Sequence, residues 1–187
     1  YWMHRIEHEH RILWGNHSVH HSSEDYNLTT SMRLSIIEPM IEWIFLIPMI
    51  LIGFSPFQAI VGLVFVAQFQ TWIHTERIGK LGWLDWIFNT PSVHRVHHGS
   101  NKQYLDKNYG GILIIWDKMF GTFEREDEKV VYGLTRDINT NNPIKITFSE
   151  FGLIWRDVKR CRNNRDCLKI IFGKLSWRPE YFAKSEN

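Results

Sequence analysis

Two long apolar runs dominate the polarity pattern of the chain. Leu34 to Ile52 is 19 residues long and almost wholly apolar, interrupted by Glu38, Glu42, Pro39 and Pro48. Phe57 to Ile73 adds 17 residues whose polar side chains are Gln58, Gln68, Gln70 and Thr71. As helices these runs span roughly 28 and 25 Å, against a hydrocarbon core of about 30 Å. The turn between them, Gly53-Phe54-Ser55-Pro56, is short and uncharged. The pattern predicts a membrane helical hairpin over 34–73. Arg33 precedes it, and Arg77 and Lys80 follow it, so the positive-inside bias puts both outer ends in the cytosol. Residues before Leu34 and after Ile73 can then meet on one side of the membrane.

The flanking sequence reads as helical and cytosol-facing. Tyr1 to about His21 has helix character. Trp83 to Phe88 reads as a short amphipathic helix at the membrane surface, with Trp83 and Trp86 as interface anchors. Ile112 to Phe120 predicts an apolar helix ended by Gly121. Val130-Val131-Tyr132 looks strand-like, Asn139 to Pro143 a loop, and Phe148 to Phe172 a surface-lying helix. The expected fold class is all-α: an integral-membrane helical protein with a transmembrane hairpin and a cytosolic, histidine-rich, two-metal cap. The domain expectation is a catalytic unit over 1–146 and a helical extension over 147–187.

Composition narrows the function. The 187 residues carry 22 Lys and Arg against 20 Asp and Glu, a net charge of +2, which argues against a nucleic-acid binder. With 44% hydrophobic residues the chain is not a disordered one. Cys161 and Cys167 cannot make a disulfide framework, and in the cytosol they are expected as free thiols.

The ten histidines are the departure from ordinary composition. HRIEH places His4 and His8 four apart, HSVHH gives His17, His20 and His21, and HRVHH gives His94, His97 and His98. At 100° per residue, each set points its imidazoles to one side of a helix. Neutral imidazole is the commonest biological metal ligand. Eight such ligands exceed what one ion uses and suit two. Zinc, copper, iron and nickel all accept imidazole. His74, at the cytosolic end of the second apolar run, is a ninth candidate. His10 falls off the face of His4 and is expected at the surface. Metal-bound histidines usually donate their other N–H to a carboxylate or carbonyl. Glu24, Asp25, Glu76 and Asp106 lie near the clusters in sequence and are candidates for that role, and Glu7 also lies close. A non-enzymatic reading, a histidine-rich metal- or lipid-binding membrane protein, uses the same residues.

The order H-x-x-x-H, apolar hairpin and flanking H-x-x-H-H boxes resembles the fatty acid hydroxylase / sterol desaturase superfamily of integral-membrane di-iron enzymes. Asn108-Tyr109-Gly110, Trp116-Asp117 and Gly121-Thr122-Phe123 match its signature after the last box. The stretches YWMHR, HHSSEDYNL, WIHTE, NTPSVHRVHHG and DKNYGGILIIWDKMFGTFE are similar to its tetrahydrobiopterin-dependent, ether-lipid-cleaving branch. The resemblance implies two iron ions held by His4, His8, His17, His20, His21, His94, His97 and His98, with His74 added. It also implies molecular oxygen, tetrahydrobiopterin as electron donor, and a bilayer-borne alkylglycerol as substrate. The reaction would hydroxylate the carbon next to the ether oxygen, giving a fatty aldehyde and a glycerol derivative. The implied location is the endoplasmic reticulum membrane, multi-pass, with the histidines facing the cytosol. A sterol desaturase or fatty acyl hydroxylase fed by cytochrome b5 shares the same boxes. The resemblance also places further membrane helices before His4, so the chain reads as a piece of a longer protein.

Overall fold

The computed structural model describes residues 1–183, and among them the regular elements are helices, with two isolated bridges and no strand. Trp2–Glu9 (α1) and Arg11–His21 (α2) are separated by His10, whose extended backbone (φ −106°, ψ 128°) bridges to Lys174. The break folds α2 back against α1, where an unbroken helix would have carried the two histidine sets apart.

Pro56–Ile73 (α4) is the longest helix and starts on a capping box. Ser55 Oγ accepts from the Gln58 N–H at 3.3 Å, and Gln58 Oε1 accepts from the Ser55 N–H at 2.8 Å. By length and composition α4 can cross a membrane, at roughly 27 Å. Only Ala59 and Ile73 in it are buried; Phe57, Ile60, Val61, Val64 and Phe65 stand exposed. The first apolar run departs from the expected 19-residue helix. Glu38–Met40 makes a single 3-10 turn, and Glu42–Leu51 (α3) is a ten-residue helix of roughly 15 Å packed on α4. Pro39 cannot donate to a helix running through it. Glu38 is buried, and its Oε2 accepts from the Ser35 N–H at 3.3 Å. The hairpin therefore has unequal arms.

Beyond it, Gly82–Trp86 is a 3-10 turn rather than a helix to Phe88, with Trp83 and Trp86 exposed as expected. Pro91–His97 (α5) begins on Pro91, which suits a first-turn position. Ile115–Phe120 (α6) starts three residues later than expected, because Ile112 and Ile114 bond Asn89 and Ile87 through their backbones. Gly121 ends it in the left-handed region (φ 71°). Val130–Tyr132 forms no strand: the Val131 N–H donates to Asn101 Oδ1 at 2.8 Å, a side chain in place of a neighbouring strand.

The expected surface helix over 148–172 is two helices, Pro143–Val158 (α7) and Asn164–Phe172 (α8), followed by Glu180–Ala183 (α9). α8 starts afresh because Asn163 Oδ1 caps the Asp166 N–H at 2.8 Å. α7 does not lie loose on the surface. It packs on α2 so closely that a Cβ on Gly15 would meet the Phe151 ring at 3.2 Å. Arg11 of α2, fully buried, reaches Asp157 of α7 at 2.6 Å. α7 also runs straight through the expected 146/147 boundary, so the extension is part of the packing around α2. The last residues of the expected 147–187 unit, 184–187, lie outside the described residues.

Candidate metal centre

The buried face of α1 is polar: His4, Glu7 and His8 point inward at helical spacing. α2 brings His17, His20 and His21, α5 brings His94 and His97 with His98 just beyond its end, and His74 follows the last residue of α4. All nine are buried. Their ring nitrogens gather into two groups, His4, His8, His17, His21 and His97 in one, and His20, His74, His94 and His98 in the other. Within each group one nitrogen per residue lies within 4.8 Å of the rest. Each H-x-x-H-H triplet is divided. Its first and last histidines, four apart on one helix face, enter the same group, and the middle one enters the other. α2 and α5 thus each serve both groups. His10 stays outside them, its Nδ1 against the Phe172 carbonyl at 2.9 Å.

Three rings have their tautomer fixed by a carbonyl that can only accept. Nδ1–H of His4 donates to Tyr109 O at 3.0 Å, that of His74 to Gln70 O at 2.7 Å, and that of His97 to Lys107 O at 2.9 Å. Their Nε2 atoms are therefore bare lone pairs in the neutral ring. His4 Nε2 faces His17 Nε2 at 3.1 Å, and His74 Nε2 faces Nε2 of His20, His94 and His98 at 3.1–3.2 Å. Nε2 of His8, His21 and His97 is buried with no hydrogen-bond partner. Burial, and then the charge of neighbouring imidazoles, keeps the rings unprotonated. His17 is pushed down to about 3, and His4, His8, His20, His21, His94 and His98 well below their usual value. His74 and His97 fall to about 4, burial outweighing the raising effect of their carbonyl contacts. Inward lone pairs and orphaned buried nitrogens suit two divalent cations of imidazole preference.

The loop after α5 holds the first group in place. Asp117, fully buried, accepts from the backbone N–H of Tyr109 (2.7 Å) and Gly110 (2.8 Å) and from Thr122 Oγ1 (2.8 Å). That pins the carbonyl on which His4 rests. Only glycine fits at 110, where a Cβ would come within 2.5 Å of Leu113 O. The Asn89 amide contacts His94 Nδ1 at 3.3 Å.

Of the acidic candidates, Asp106 stands nearest a histidine, its Oδ1 3.9 Å from His8 Nδ1. Glu24 and Asp25 are exposed at the rim of a polar cleft beside Arg33 and Tyr132, and exposed Glu76 sits against Tyr132. Among the described residues no hydrogen bond or ion pair joins these three to a histidine, because the chain leaves each cluster pointing outward. The carboxylate that does approach is Glu7, whose Oε2 is 3.7 Å from His17 Nδ1. Burial, then the charges of Glu38 and Glu42, raises the Glu7 carboxyl to about 8. A cavity of about 170 Å³ opens over both groups. His4, His17, His20 and His74 line it together with the apolar Leu34, Leu63, Val66 and Ala67 and the polar Glu7, Glu38, Glu42 and Gln70.

The fatty acid hydroxylase family model matches residues 1–122, which hold all nine histidines. The chain belongs to the fatty acid hydroxylase family. Its relatives in the family include the alkylglycerol monooxygenases of Homo sapiens and Xenopus tropicalis, 50% and 49% identical over 179 residues, 96% of this chain. The ornithine lipid hydroxylase OlsE of Rhizobium tropici is 34% identical over 125 residues, 66% of this chain and 38% of its own. The chain spans about 40% of the length of the two alkylglycerol monooxygenases. No solved structure matches it.

Proposed function

We propose that this chain is the metal-bearing part of a tetrahydrobiopterin-dependent alkylglycerol monooxygenase, with two iron ions held by the nine histidines. The observation that carries this reading is the pair of facing, neutral imidazole groups under one cavity with an apolar wall; the identity to enzymes of that name supports it. His4, His8, His17, His21 and His97 would hold one ion, and His20, His74, His94 and His98 the other. Iron and oxygen, reduced through the pterin, supply the oxidising power that protein side chains lack for an unactivated C–H bond. The protein's own contribution is placement. The carbonyls of Tyr109, Gln70 and Lys107 fix the tautomers, so that ligand lone pairs need no reorganisation. Leu34, Leu63, Val66 and Ala67 receive the alkyl chain and exclude water. The carbon next to the ether oxygen then lies over the histidine floor, and its hydroxylation leaves a hemiacetal that collapses to fatty aldehyde and a glycerol hydroxyl.

The exposed apolar faces of α3 and α4 support a place in a bilayer. In this reading α4 crosses, the 35–51 segment returns beside it, and Arg33, Arg77 and Lys80 keep the histidines on the cytosolic side of the endoplasmic reticulum membrane. The deciding measurement is turnover of a fluorescent-tailed alkylglycerol by membranes carrying the full-length protein, with and without tetrahydrobiopterin. Aldehyde release that requires the pterin is the expected result. No release with iron and protein present, together with a response to a cytochrome b5 system on sterol or fatty acyl substrates, overturns it.

A further inference from the structure

An apolar stripe runs along the outer side of α7. Ile144 is 66%, Phe148 47% and Trp155 62% exposed. At 100° per residue the three fall within about 40° of one another, on one face of the helix. The charged residues exposed on that side are Lys145 and Arg156, with Lys159 following. Both acids of α7 turn the other way, Glu150 and Asp157 lying 3.7 and 2.6 Å from the buried Arg11. Lys159 Nζ stands 5.0 Å from the centre of the Trp155 ring, so cation and indole sit together at one end of the stripe. Apolar side chains flanked by cations, with no anion among them, are the pattern of a helix lying in the headgroup layer of a membrane.

The other end of the stripe joins the hairpin. Pro143 and Ile144 close an apolar groove of about 350 Å³ with Met32, Leu34 and Ile36, and those three are themselves exposed. Leu34 is the first residue of the apolar run that leads into α3 and α4. The stripe therefore starts where, in the reading above, the chain enters the bilayer. Resting on that membrane reading, we propose that the outer face of α7 lies on the bilayer that holds the hairpin. Ile144, Phe148 and Trp155 sit among the headgroups and upper acyl chains, and Lys145, Arg156 and Lys159 meet the phosphates of anionic lipid. Each cation near an anionic surface favours the lipid-bound position by about fivefold. The opposite face of α7 holds α2, with Phe151 against Gly15 and Asp157 on Arg11. α7 thus ties the helix that carries His17, His20 and His21 to the lipid surface.

The test uses the full-length protein, its own cysteines replaced by serine, in nanodiscs of phosphatidylcholine with and without phosphatidylserine. A spin label is placed at one position at a time: Ile144→Cys, Phe148→Cys and Trp155→Cys on the stripe, Phe65→Cys on the exposed face of α4, and Lys102→Cys at an exposed position after His98. Power saturation compares collisions with oxygen, which concentrates in lipid, and with a water-soluble nickel chelate. The stripe labels should favour oxygen several-fold more than Lys102→Cys does, less than Phe65→Cys does, and more in the anionic discs. Lys145→Glu combined with Arg156→Glu and Lys159→Glu should abolish the gain from phosphatidylserine with iron content unchanged. An equal response in the two kinds of disc overturns the role given to the three cations. Stripe labels that follow Lys102→Cys, with Phe65→Cys in lipid, overturn the proposal and leave the membrane reading standing. Stripe labels shielded from both reagents mean that a second copy or another protein covers α7, and overturn it too. A Phe65→Cys label open to nickel overturns the membrane reading and the proposal with it.

Discussion

At the residue scale, the centre depends on imidazoles that stay neutral and are aimed by their second nitrogen. His74 is the sharpest case, because its Nε2 faces three others at 3.1–3.2 Å. His74→Ala should take the iron content from two towards one per chain and cost activity beyond the 10–100-fold typical of an outer partner. His10→Ala should leave both unchanged. A His74→Ala enzyme with two irons and full activity would remove His74 from the ligands. The depressed values of His17, His74 and His97 also set an acid limit. In the unfolded chain these rings titrate near 6.5, in the metal-free fold at about 3, 4 and 4. The unfolded chain therefore binds more protons below 6.5, so stability is complete above that pH and is lost as pH falls towards 4. His97 alone accounts for about 3 kcal/mol. Urea unfolding of metal-free protein at pH 7.5 and 5 checks this; equal midpoints sink it. The histidines that gather in the interior were legible from spacing because i,i+3 and i,i+4 positions share a helix face. Their division into two groups was not, since it depends on how α2 and α5 cross. Glu7 was overshadowed by acids closer to the triplets in sequence, although its own helix turn aims it inward between His4 and His8.

At the scale of elements, a short buried ion pair fastens the helix that supplies three of the histidines. Arg11 Nη2 meets Asp157 Oδ2 at 2.6 Å with both side chains buried, and Arg178, more exposed, stands 3.7 Å away. Asp157→Ala leaves the buried Arg11 charge with only the longer Glu150 contact at 3.7 Å and should cost about 3 kcal/mol. Arg178→Ala should cost under about 1 kcal/mol. Chemical unfolding of the full-length variants in detergent distinguishes them, and a loss below 1 kcal/mol for Asp157→Ala would mean that α7 does not buttress α2. The α7–α2 contact was invisible to periodicity, which shows that a helix has an apolar face but not what covers it. Helix breaks were the other loss. His10 and Asn163 end or restart helices through backbone pairing and capping, and Pro39 breaks the apolar run that hydropathy alone reads as one span. The elements with explicit signals came through: the turn before α4, and Gly121 closing α6.

For the whole molecule, polarity is partly inverted. Histidine, Asn16, Asn89, Asn108 and Asp117 occupy buried positions, while Leu, Ile, Phe and Val side chains of α3 and α4 stand exposed. Such an exterior is the expected counterpart of lipid, and the hairpin legible in the sequence is where it lies. The arrangement fixes a relation that can be measured without any assay of chemistry. α7 and α8 pack on α2, and α2 carries His17, His20 and His21, so whatever side of the membrane holds the histidines also holds Cys161, between α7 and α8, and Cys167, within α8. Both cysteines are free thiols and partly accessible. In the reading proposed above, with basic residues flanking the hairpin and none in its turn, that side is the cytosol. A membrane-impermeant maleimide should therefore label both cysteines once the plasma membrane alone is opened, with the endoplasmic reticulum still sealed. A cysteine placed at Ser55 in the turn should stay unlabelled until the inner membrane is also dissolved. Labelling in the reverse order, or recovery of Cys161 and Cys167 as a quantitative disulfide, would turn the molecule over and put the histidine centre in an oxidising lumen.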